Sequence, residues 1–420
     1  MSLSYYEGLK PVKLPDPRID IRTQNKYLFK QPANVVTYKT FNSNSTSQNS
    51  THFTATPPNP NIIISPLVYV NLPATVKVTG KTAAANAPAD FRDMFFSSNT
   101  SIVPRQLPIS SIIQTLSLKL NTDTTTVNLN DYIHAIARFY SDDAIRAYEM
   151  SSSPVQPDFF QKYNDDINTT GAGKDKGLGY GTNRSPFQKY GANTNESTRS
   201  SYKPYKATYE EDGNDGIATV DYDFDEPLFI SPLSSGEYSK MGLVQIQTFD
   251  LDITWDSKLN RILSCNKAGL DDKATANGAY SIRTILGDPK LRFIYMTPHI
   301  NYPIPETVIY EFSELNRISK SVRNTPLLGW NPDPANAEDP TPGPNGESLT
   351  ITSDNIQLSS IPNKVYIYVR RSNEERTEYT SDAFARITGI NIDFNGVSGI
   401  LASAKEHDLW RMTVNNGARI

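Results

Sequence analysis

Three segments of the chain alternate between apolar and polar residues, the pattern of a β-strand with one buried face. In residues 116–120, leucines alternate with Ser117 and Lys119. In residues 220–225 and 249–256, aliphatic and aromatic residues alternate mainly with aspartates. We therefore predict three half-buried strands, of which the second and third carry an acidic outer face.

Shorter β-branched and apolar runs predict further strands. These runs are residues 34–41, 62–64, 67–72, 74–78, 291–296, 307–312, 348–352, 364–370 and 387–394. Proline cannot donate to a ladder, so Pro66 and Pro73 predict edge positions or bulges where they interrupt the early strands. The Asn/Ser/Thr-rich stretch from residue 42 to about Pro60 is predicted to be a loop.

Two helices are also predicted. Asn128 or Asn130 is suited to cap the first, and Ile133 and Ile136 begin an apolar face with helical spacing. Residues 399–412 form the second.

The element order predicts an all-β fold. The spacing of short strands with long insertions predicts two β sandwiches in tandem, with short helices and long loops, rather than one large barrel. The predicted organisation is an N-terminal arm, a first β domain, a junction and a second β domain: residues 1–33, 34–258, 259–288 and 289–420. A long loop, residues 151–215, lies within the first domain, and a free tail is the alternative for the arm.

Composition agrees with this organisation and excludes several classes of protein. The 420 residues leave room for two large β domains, and 29 prolines, 22 glycines and 23 tyrosines suit short strands joined by loops. A net charge of -4 argues against direct coating of nucleic acid, because neutralising phosphates requires excess Lys and Arg. The single cysteine, Cys265, cannot form an intrachain disulfide.

The first ten residues, MSLSYYEGLK, lack the basic segment and apolar core of a signal peptide, so we expect a chain that is not secreted. On that expectation, the Asn-x-Ser/Thr sequons are attributed to chance; they begin at Asn44, Asn49, Asn99, Asn168 and Asn195. Folding in a reducing compartment, cytoplasm or nucleus, is expected.

Catalytic chemistry has no support in the sequence. The four histidines, His52, His134, His299 and His407, are scattered, and His134 is interpreted as structural. Cys265 has no evident histidine partner, and the glycine-rich residues 171–181 lack the phosphate-loop order. No catalytic, cofactor-binding or metal-binding residues are predicted, and no cofactor is expected.

Two surface patterns suggest binding rather than catalysis. Asp221, Asp223 and Asp225 place like charges on one strand face, which a cation, basic side chains of a neighbouring subunit or plain solvation would satisfy. Asp250 and Asp252 form a similar pair. Tyrosines interleaved with Lys and Arg between residues 162 and 209 suit protein contacts better than single-stranded nucleic acid, since no basic arm accompanies them.

Several segments resemble the double-jelly-roll major capsid proteins of eukaryotic DNA viruses and related virus-like transposons. They are NPNIIISPLVYVNLPATVKVTG, SSIIQTLSLKLNTDTTTVNLNDYIHAIARFY, EPLFISPLSSGEYSKMGLVQIQTFDLDITWDSKLNRIL, LSSIPNKVYIYVRR and ITGINIDFNGVSGILASAKEHDLWRMTVNNG. The resemblance lies in the order and spacing of strands and helices and covers less than half of the chain.

The resemblance implies a non-enzymatic capsid protein with two tandem eight-stranded antiparallel jelly rolls side by side, a double jelly roll. It implies a homotrimer forming pseudo-hexagonal capsomers of an icosahedral virion, with penton and minor capsid proteins as partners. An internal membrane is a possible neighbour, and sequence-specific nucleic-acid binding is not expected. The loops 151–215 and 324–347 would form trimer contacts or the outer crown, and further strands would follow the 399–412 helix to close the second roll.

Alternative functions stay open at this point. They are a single-jelly-roll coat protein with a projecting domain, and a receptor-binding or carbohydrate-binding β protein of a virion. A β-sandwich hydrolase is disfavoured, because the sequence offers no credible catalytic carboxylate pair or metal centre.

Overall fold

The computed structural model describes part of the chain at residue level. The described residues are 35–81, 102–136, 206–212, 215–233, 242–265, 280–298, 310, 314–322, 349–358, 361–380, 382, 384–385 and 387–417. The predicted arm 1–33, residues 151–205 of the predicted long loop, and the loop 324–347 lie outside them. The strand predicted at 307–312 also lies outside the described residues, apart from Tyr310.

The described residues are rich in β-strands. The strands are β1 Val35–Asn42, β2 Ser45–Thr46, β3 Ser50–Ala55, β4 Ile63–Ile64, β5 Tyr69–Lys81, β6 Ile102–Pro104, β7 Ile113–Leu120, β8 Asp123–Val127, β9 Lys206–Asp212, β10 Asp215–Pro227, β11 Phe249–Trp255, β12 Leu263–Cys265, β13 Ser281–Leu286, β14 Lys290–Thr297, β15 Ile392–Phe394 and β16 Val397–Ile400.

The helices in these ranges are short. They are α1 Pro108–Ile112, α2 Leu129–Ile136, a 3-10 helix at Leu259–Ile262, and α3 Glu406–Asn415.

Two antiparallel sheets contain most of the strands. The first has the order β1-β14-β5-β10-β9, with β4 paired to β14 and β13 paired to β5. The second has the order β2-β3-β11-β7-β8. The chain passes repeatedly from one sheet to the other, so strands distant in sequence become neighbours.

The core lies between these two sheets. Apolar side chains of β5, β10 and β14 in the first sheet belong to the same buried cluster as those of β3, β7 and β11 in the second. The rings of Phe249 and Phe293 meet edge to face across the sheets, with centroids 4.9 Å apart. Burying each such aromatic side chain contributes about 1.5–3 kcal/mol.

The three alternating segments of the sequence form strands β7, β10 and β11, and their apolar residues face this core. The prediction of an antiparallel, mostly β chain with few helices is confirmed. The first predicted helix is α2, and within the second predicted helical range α3 begins at Glu406.

Strand β5 runs through Pro73, although the sequence predicted an interruption there. One edge of β5 pairs with β14 as far as Asn71 and then with β13 from Ala74. Pro73 lies where these two partners change over, and its carbonyl accepts a hydrogen bond from the backbone N–H of Gly287 at 2.8 Å. The missing proline donor is tolerated at such a gap in the ladder.

Besides the two-residue strand β2, two strands form where the sequence predicted loops. Strand β3 lies in the polar stretch before Pro60, because Phe53 and Ala55 fill the core while His52 and Thr54 point outward. Strand β9 lies at the end of the predicted 151–215 loop and forms a hairpin with β10. In both cases, pairing with a strongly apolar neighbouring strand supplies the stabilisation that the segment's own polar composition lacks.

Strands β13 and β14 belong to the first sheet, although the sequence placed them in the junction and the second domain. Strand β14 pairs with β1 along all eight of its residues, from Val35 opposite Thr297 to Asn42 opposite Lys290. The first sheet therefore extends past residue 288. Only pairing across more than 240 residues shows this, and sequence periodicity contains no such information.

Among the described residues after 300, fewer strands form than the sequence predicted. Residues 349–352 and 364–370 are described and are not in strands, so the strands predicted at 348–352 and 364–370 are wrong. Of the predicted strand 387–394, only Ile392–Phe394 forms. A β-strand requires a hydrogen-bonded neighbour, and within the described ranges the ladder-like bond of residues 364–370 is the one from the N–H of Ala385 to the carbonyl of Val369.

Glu226, at the end of β10, fixes helix α1 to the sheet. Its buried carboxylate accepts hydrogen bonds from the backbone N–H groups of Ile109 and Ser110, at 2.8 and 3.0 Å, and from the Ser110 hydroxyl at 2.8 Å. These N–H groups belong to the first turn of α1, where no intrahelical acceptor exists.

We predict that Glu226→Ala lowers the free energy of unfolding by about 3 kcal/mol, because it leaves buried donors without their acceptor. Urea denaturation followed by tryptophan fluorescence measures this change. Glu210→Ala, on an exposed position of β9, is the matched control and should change stability by less than about 0.5 kcal/mol. Equal effects of the two substitutions would contradict this role of Glu226.

Candidate functional site

A buried ionic cluster joins the β sandwich to residues 366–382 of the C-terminal half. At its centre, the Asp382 carboxylate accepts a hydrogen bond from Arg105 Nη1 at 2.6 Å and from Arg261 Nη2 at 2.7 Å. All three side chains are almost fully buried. Arg105 follows β6, and Arg261 lies in the 3-10 helix before β12. The paired β6 and β12 strands therefore present both guanidinium groups to one carboxylate.

Arg105 also binds backbone carbonyls on both sides of this junction. Its Nε donates to the carbonyls of Arg261 and Leu263 at 2.8 and 3.2 Å. Its Nη2 donates to the carbonyls of Thr377 and Thr380 at 3.0 and 2.9 Å. One guanidinium group thus connects the sandwich with the C-terminal segment through four carbonyls as well as Asp382.

The electrostatics keep Asp382 ionised. Burial alone opposes its negative charge, but the guanidinium groups of Arg105 and Arg261 outweigh burial and hold the pKa of the carboxyl well below its usual range. Burial lowers the pKa of Arg261, and Asp382 opposes that effect. Each partner therefore depends on the other to remain charged in the interior.

His134, on α2, lies beside this centre. Its Nε2 is 3.1 Å from the Ser111 hydroxyl and 3.4 Å from Asp382 Oδ2. Since Ser111 donates its hydroxyl proton to the carbonyl of Gln106, Nε2 is the donor and the ring is the Nε2–H tautomer. Burial lowers the pKa of His134 to about 3, so the ring is neutral at physiological pH.

Asp131, at the first turn of α2, forms the second centre of the cluster. Its Oδ1 accepts from Arg370 Nη2 at 2.9 Å, Asn373 Nδ2 at 2.7 Å and Arg376 Nη2 at 3.4 Å, and its Oδ2 contacts Arg317. A carboxylate at a helix N-terminus is favourable in itself. Here the carboxylate also pairs with arginines from two C-terminal segments.

Backbone carbonyls of α2 also accept hydrogen bonds from the C-terminal segment. The carbonyl of Asn130 accepts from Arg376 Nη1 at 3.0 Å and from Arg370 Nη1 at 3.3 Å. The carbonyl of Asp131 accepts from the hydroxyl of Tyr368 at 3.0 Å. Burial and the neighbouring guanidinium groups lower the pKa of Arg376 to about 9.

Contacts outside the cluster attach the C-terminal half further. Lys258 Nζ donates to the carbonyls of Asn373 and Glu374, at 2.6 and 2.8 Å. The N–H of Cys265 donates to the carbonyl of Glu378 at 2.9 Å, and the hydroxyl of Tyr310 donates to the carbonyl of Val244 at 2.8 Å. Together with the ionic cluster, these hydrogen bonds hold the C-terminal half against the sandwich.

The acidic stripe of β10 is hydrogen-bonded within the chain. Asp221 accepts from the hydroxyl of Thr75 at 2.7 Å, and Asp223 accepts from the amide of Asn71 at 2.6 Å. Asp225 lies 3.5 Å from Arg292 of β14. Neighbouring strands thus supply partners that the sequence analysis assigned to a cation, a neighbouring subunit or solvent.

The surroundings of Asp225 change its protonation behaviour. Burial raises the pKa of its carboxyl to about 6, against the opposing effect of Arg292, and Asp223 adds to the increase. The Asp225 carboxyl therefore titrates near neutral pH.

The other singled-out residues are dispersed. His52 Nδ1 lies 2.6 Å from Asp252 on the outer face of the second sheet, and His407 is exposed on α3. Cys265 is buried, and burial raises the pKa of its thiol well above the usual value. His299 and residues 171–181 lie outside the described residues. Within the described ranges, no three His, Cys, Asp or Glu side chains come together as metal ligands.

Nor do the described ranges contain a helix of the length and apolar character required to cross a bilayer.

The sequence pattern alone does not predict the ionic cluster. The paired residues are separated by 121 to 277 positions, and each charge by itself is typical of a surface residue. One available signal was Arg105, which lies among apolar residues between Ile102 and Ile109.

Two solved structures have a fold similar to that of this chain. The cryo-EM structure of the Sputnik virophage matches with a TM-score of 0.70 and 23% identity, over 98% of this chain and 75% of that chain. The mavirus major capsid protein matches with a TM-score of 0.60 and 16% identity, over 91% of this chain and 69% of that one.

Sequence profiles assign the family. The profile described as the first domain of the Sputnik virophage major capsid protein matches residues 8–290, and that of the V20 major capsid protein C-terminal domain matches residues 336–420. The chain belongs to the family of Sputnik virophage major capsid proteins. The resemblance stated from the sequence is thereby confirmed.

A curated relative supports the same assignment. The putative capsid protein V20 of Sputnik virophage is 26% identical over 423 residues, which cover 97% of this chain. The chain spans 63% of that relative's length.

We predict that Asp382→Asn lowers the free energy of unfolding by about 3–5 kcal/mol, because Arg105 and Arg261 lose their shared buried counter-charge. Chemical denaturation measures the loss, and limited proteolysis should show earlier cleavage after residue 300. Asp354→Asn is the control, since its carboxylate pairs with Lys320 at the surface with 82% of the side chain exposed. A variant at position 382 as stable as the control would refute the assigned role.

The raised pKa of Asp225 generates a second prediction, about pH. Between the unfolded value of 3.8 and the folded value of about 6, the folded chain binds more protons, so this contribution to stability falls as pH rises. Asp225→Asn mimics the protonated form and should be more stable than the wild type by about 1 kcal/mol at pH 7.5, a difference that shrinks towards pH 4.

Thermal unfolding of both proteins from pH 4 to 8 checks this expectation, with Asp221→Asn as control. His134 acts with the opposite sign, because its lowered pKa makes the fold less stable as pH falls below 6.5. That effect is common to the wild type and both variants and cancels in the comparison. A pH-independent difference for Asp225→Asn would contradict the prediction.

Proposed function

We propose that the chain is a structural major capsid protein whose copies form the shell of a virophage-type virion. The observation that carries the proposal is the family match over residues 8–290, which includes both sheets of the sandwich except most of β14. The role requires no catalysis and no cofactor.

The strand order of the sandwich supports a jelly roll as the building block. Its eight principal strands lie in two four-stranded rows, β1-β14-β5-β10 and β3-β11-β7-β8, and the chain crosses between the rows at every step except the β7–β8 hairpin. We propose that residues after about 298 contribute to a second jelly roll beside the first. The predicted arm, residues 1–33, is proposed to contact neighbouring copies.

In this proposal, three copies form a pseudo-hexagonal capsomer, and capsomers pack laterally into an icosahedral shell. Penton and minor capsid proteins complete the shell, and a membrane beneath it is compatible with the chain. Direct sequence-specific binding of nucleic acid is not part of the proposal. The chain is made in the cytoplasm or nucleus of the host and resides in the virion.

The C-terminal half offers apolar surface for contacts between copies. In the extended segment 364–370, Tyr366 and Tyr368 pack against the sandwich core, whereas Val365 and Ile367 point away with 69% and 49% exposure. On α3, Trp410 is 49% exposed. Apolar side chains that remain in water in one chain are stabilised when another copy covers them.

The purified chain should elute as a trimer, about three times its 46.8 kDa mass, in size-exclusion chromatography with light scattering. Negative-stain electron microscopy should show hexagonal capsomers or closed shells. A monomer that persists at the highest soluble concentration, with no particles on the grid, would overturn the proposal.

Val365→Asp combined with Ile367→Asp should weaken association at least tenfold, because charges replace an exposed apolar row without disturbing the sandwich. The melting temperature of the dissociated chain should change little. Thr124→Asp with Thr126→Asp, two exposed positions of β8 with the same spacing, is the control. Equal association of both double variants would remove the 364–370 segment from the interface.

A further inference from the structure

The buried ionic cluster contains more cationic than anionic side chains. Arg105, Arg261 and Arg376 are at most 2% exposed, and the Arg370 side chain is 13% exposed. The buried carboxylates among them are Asp131 and Asp382. His134 is neutral and contributes no charge, whereas arginine remains protonated in proteins. Among the described residues, three buried guanidinium groups and the partly buried Arg370 therefore face two buried carboxylates.

Two guanidinium N–H groups in this cluster have no acceptor. They are Nε of Arg261 and Nε of Arg376, each buried and without a hydrogen-bond partner in the described part of the chain. A buried donor without an acceptor is rare in native proteins and destabilises the fold. These two donors lie on opposite sides of the junction, one from the 3-10 helix and one from the C-terminal segment.

The remaining carboxylates near the cluster in the described ranges do not supply the missing acceptors. Asp256 faces the cluster from the end of β11, but its oxygens accept from the Asn130 amide and the Lys258 N–H. The charge of Glu378 contributes to the raised pKa of Cys265, and this carboxylate is not among the hydrogen-bond partners of the cluster arginines. The exposed Arg317 adds a further positive charge at Asp131.

We propose that the cluster binds a small inorganic oxyanion, of the phosphate or sulfate class, between Arg261 and Arg376. Such an anion accepts from several guanidinium N–H groups at once and compensates the excess buried charge. A water molecule would accept the hydrogen bonds but leave the charge unbalanced. The anion is a structural ligand that stabilises the junction between the sandwich and the C-terminal segment, and it is independent of capsid assembly.

Phosphate is the probe for the experiment. The full chain is purified in gluconate buffer, and phosphate is titrated at constant ionic strength while the melting temperature is recorded. We expect a saturable rise of about 3–5 °C at a hundredfold excess over the dissociation constant. Phosphate and sulfate released from the gluconate-purified chain on denaturation are also counted by ion chromatography, because an anion retained through purification would mask the titration.

Arg376→Gln should abolish the saturable rise and the retained anion. Arg376→Lys keeps the charge but not the Nε–H group, and should weaken phosphate binding at least tenfold; it serves if the Gln variant does not fold. Arg292→Gln, at an exposed arginine paired with Asp225, is the control and should retain the full response.

Two results would overturn the proposal. One is a thermal response to phosphate that is equal in the wild type and the Arg376 variants, which would indicate general salt stabilisation. The other is no response together with fewer than about 0.1 anions released per chain. Since neither result concerns the oligomeric state, failure here leaves the proposed capsid function unaffected.

Discussion

The compensation of buried charge is the constraint on which the junction between the two halves of this chain depends. Asp131 and Asp382 are buried, and each is ion-paired with arginines from distant parts of the sequence. Removing one partner would leave a bare charge in the interior, which costs several kcal/mol. The pairs are therefore weak evidence for high stability but strong evidence for one specific docking geometry between the sandwich and the C-terminal segment.

The sandwich provides the rigid base for that docking. Its two sheets are fixed by alternating apolar side chains, by the Phe249–Phe293 contact and by the buried Glu226 that anchors α1. Helix α2 then carries Asp131 and His134 at defined positions, and the β6–β12 pair carries Arg105 and Arg261. The proposed capsid role requires such a rigid base, since lateral contacts between copies require that each copy has the same shape.

The exposed apolar residues after residue 360 contrast with this closed interior. The same extended segment uses Tyr368 and Arg370 to bind α2 and leaves Val365 and Ile367 in solvent. One face thus belongs to the chain's own interior, and the other is available for neighbouring protein. This division agrees with a family whose members are capsid proteins. The exposed face of the C-terminal half is the surface that we propose for contacts between copies.

The sequence by itself determined the fold class, because the alternation in β7, β10 and β11 follows directly from one face meeting a core and the other meeting water. It also indicated the family through the order of strands and helices. It did not determine that β13 and β14 complete the first sheet, that Asp221 and Asp223 find partners on β5, or that Arg105 meets Asp382. Those contacts join residues more than 140 positions apart, and their energies arise only when tertiary packing removes the charges and backbone groups from water.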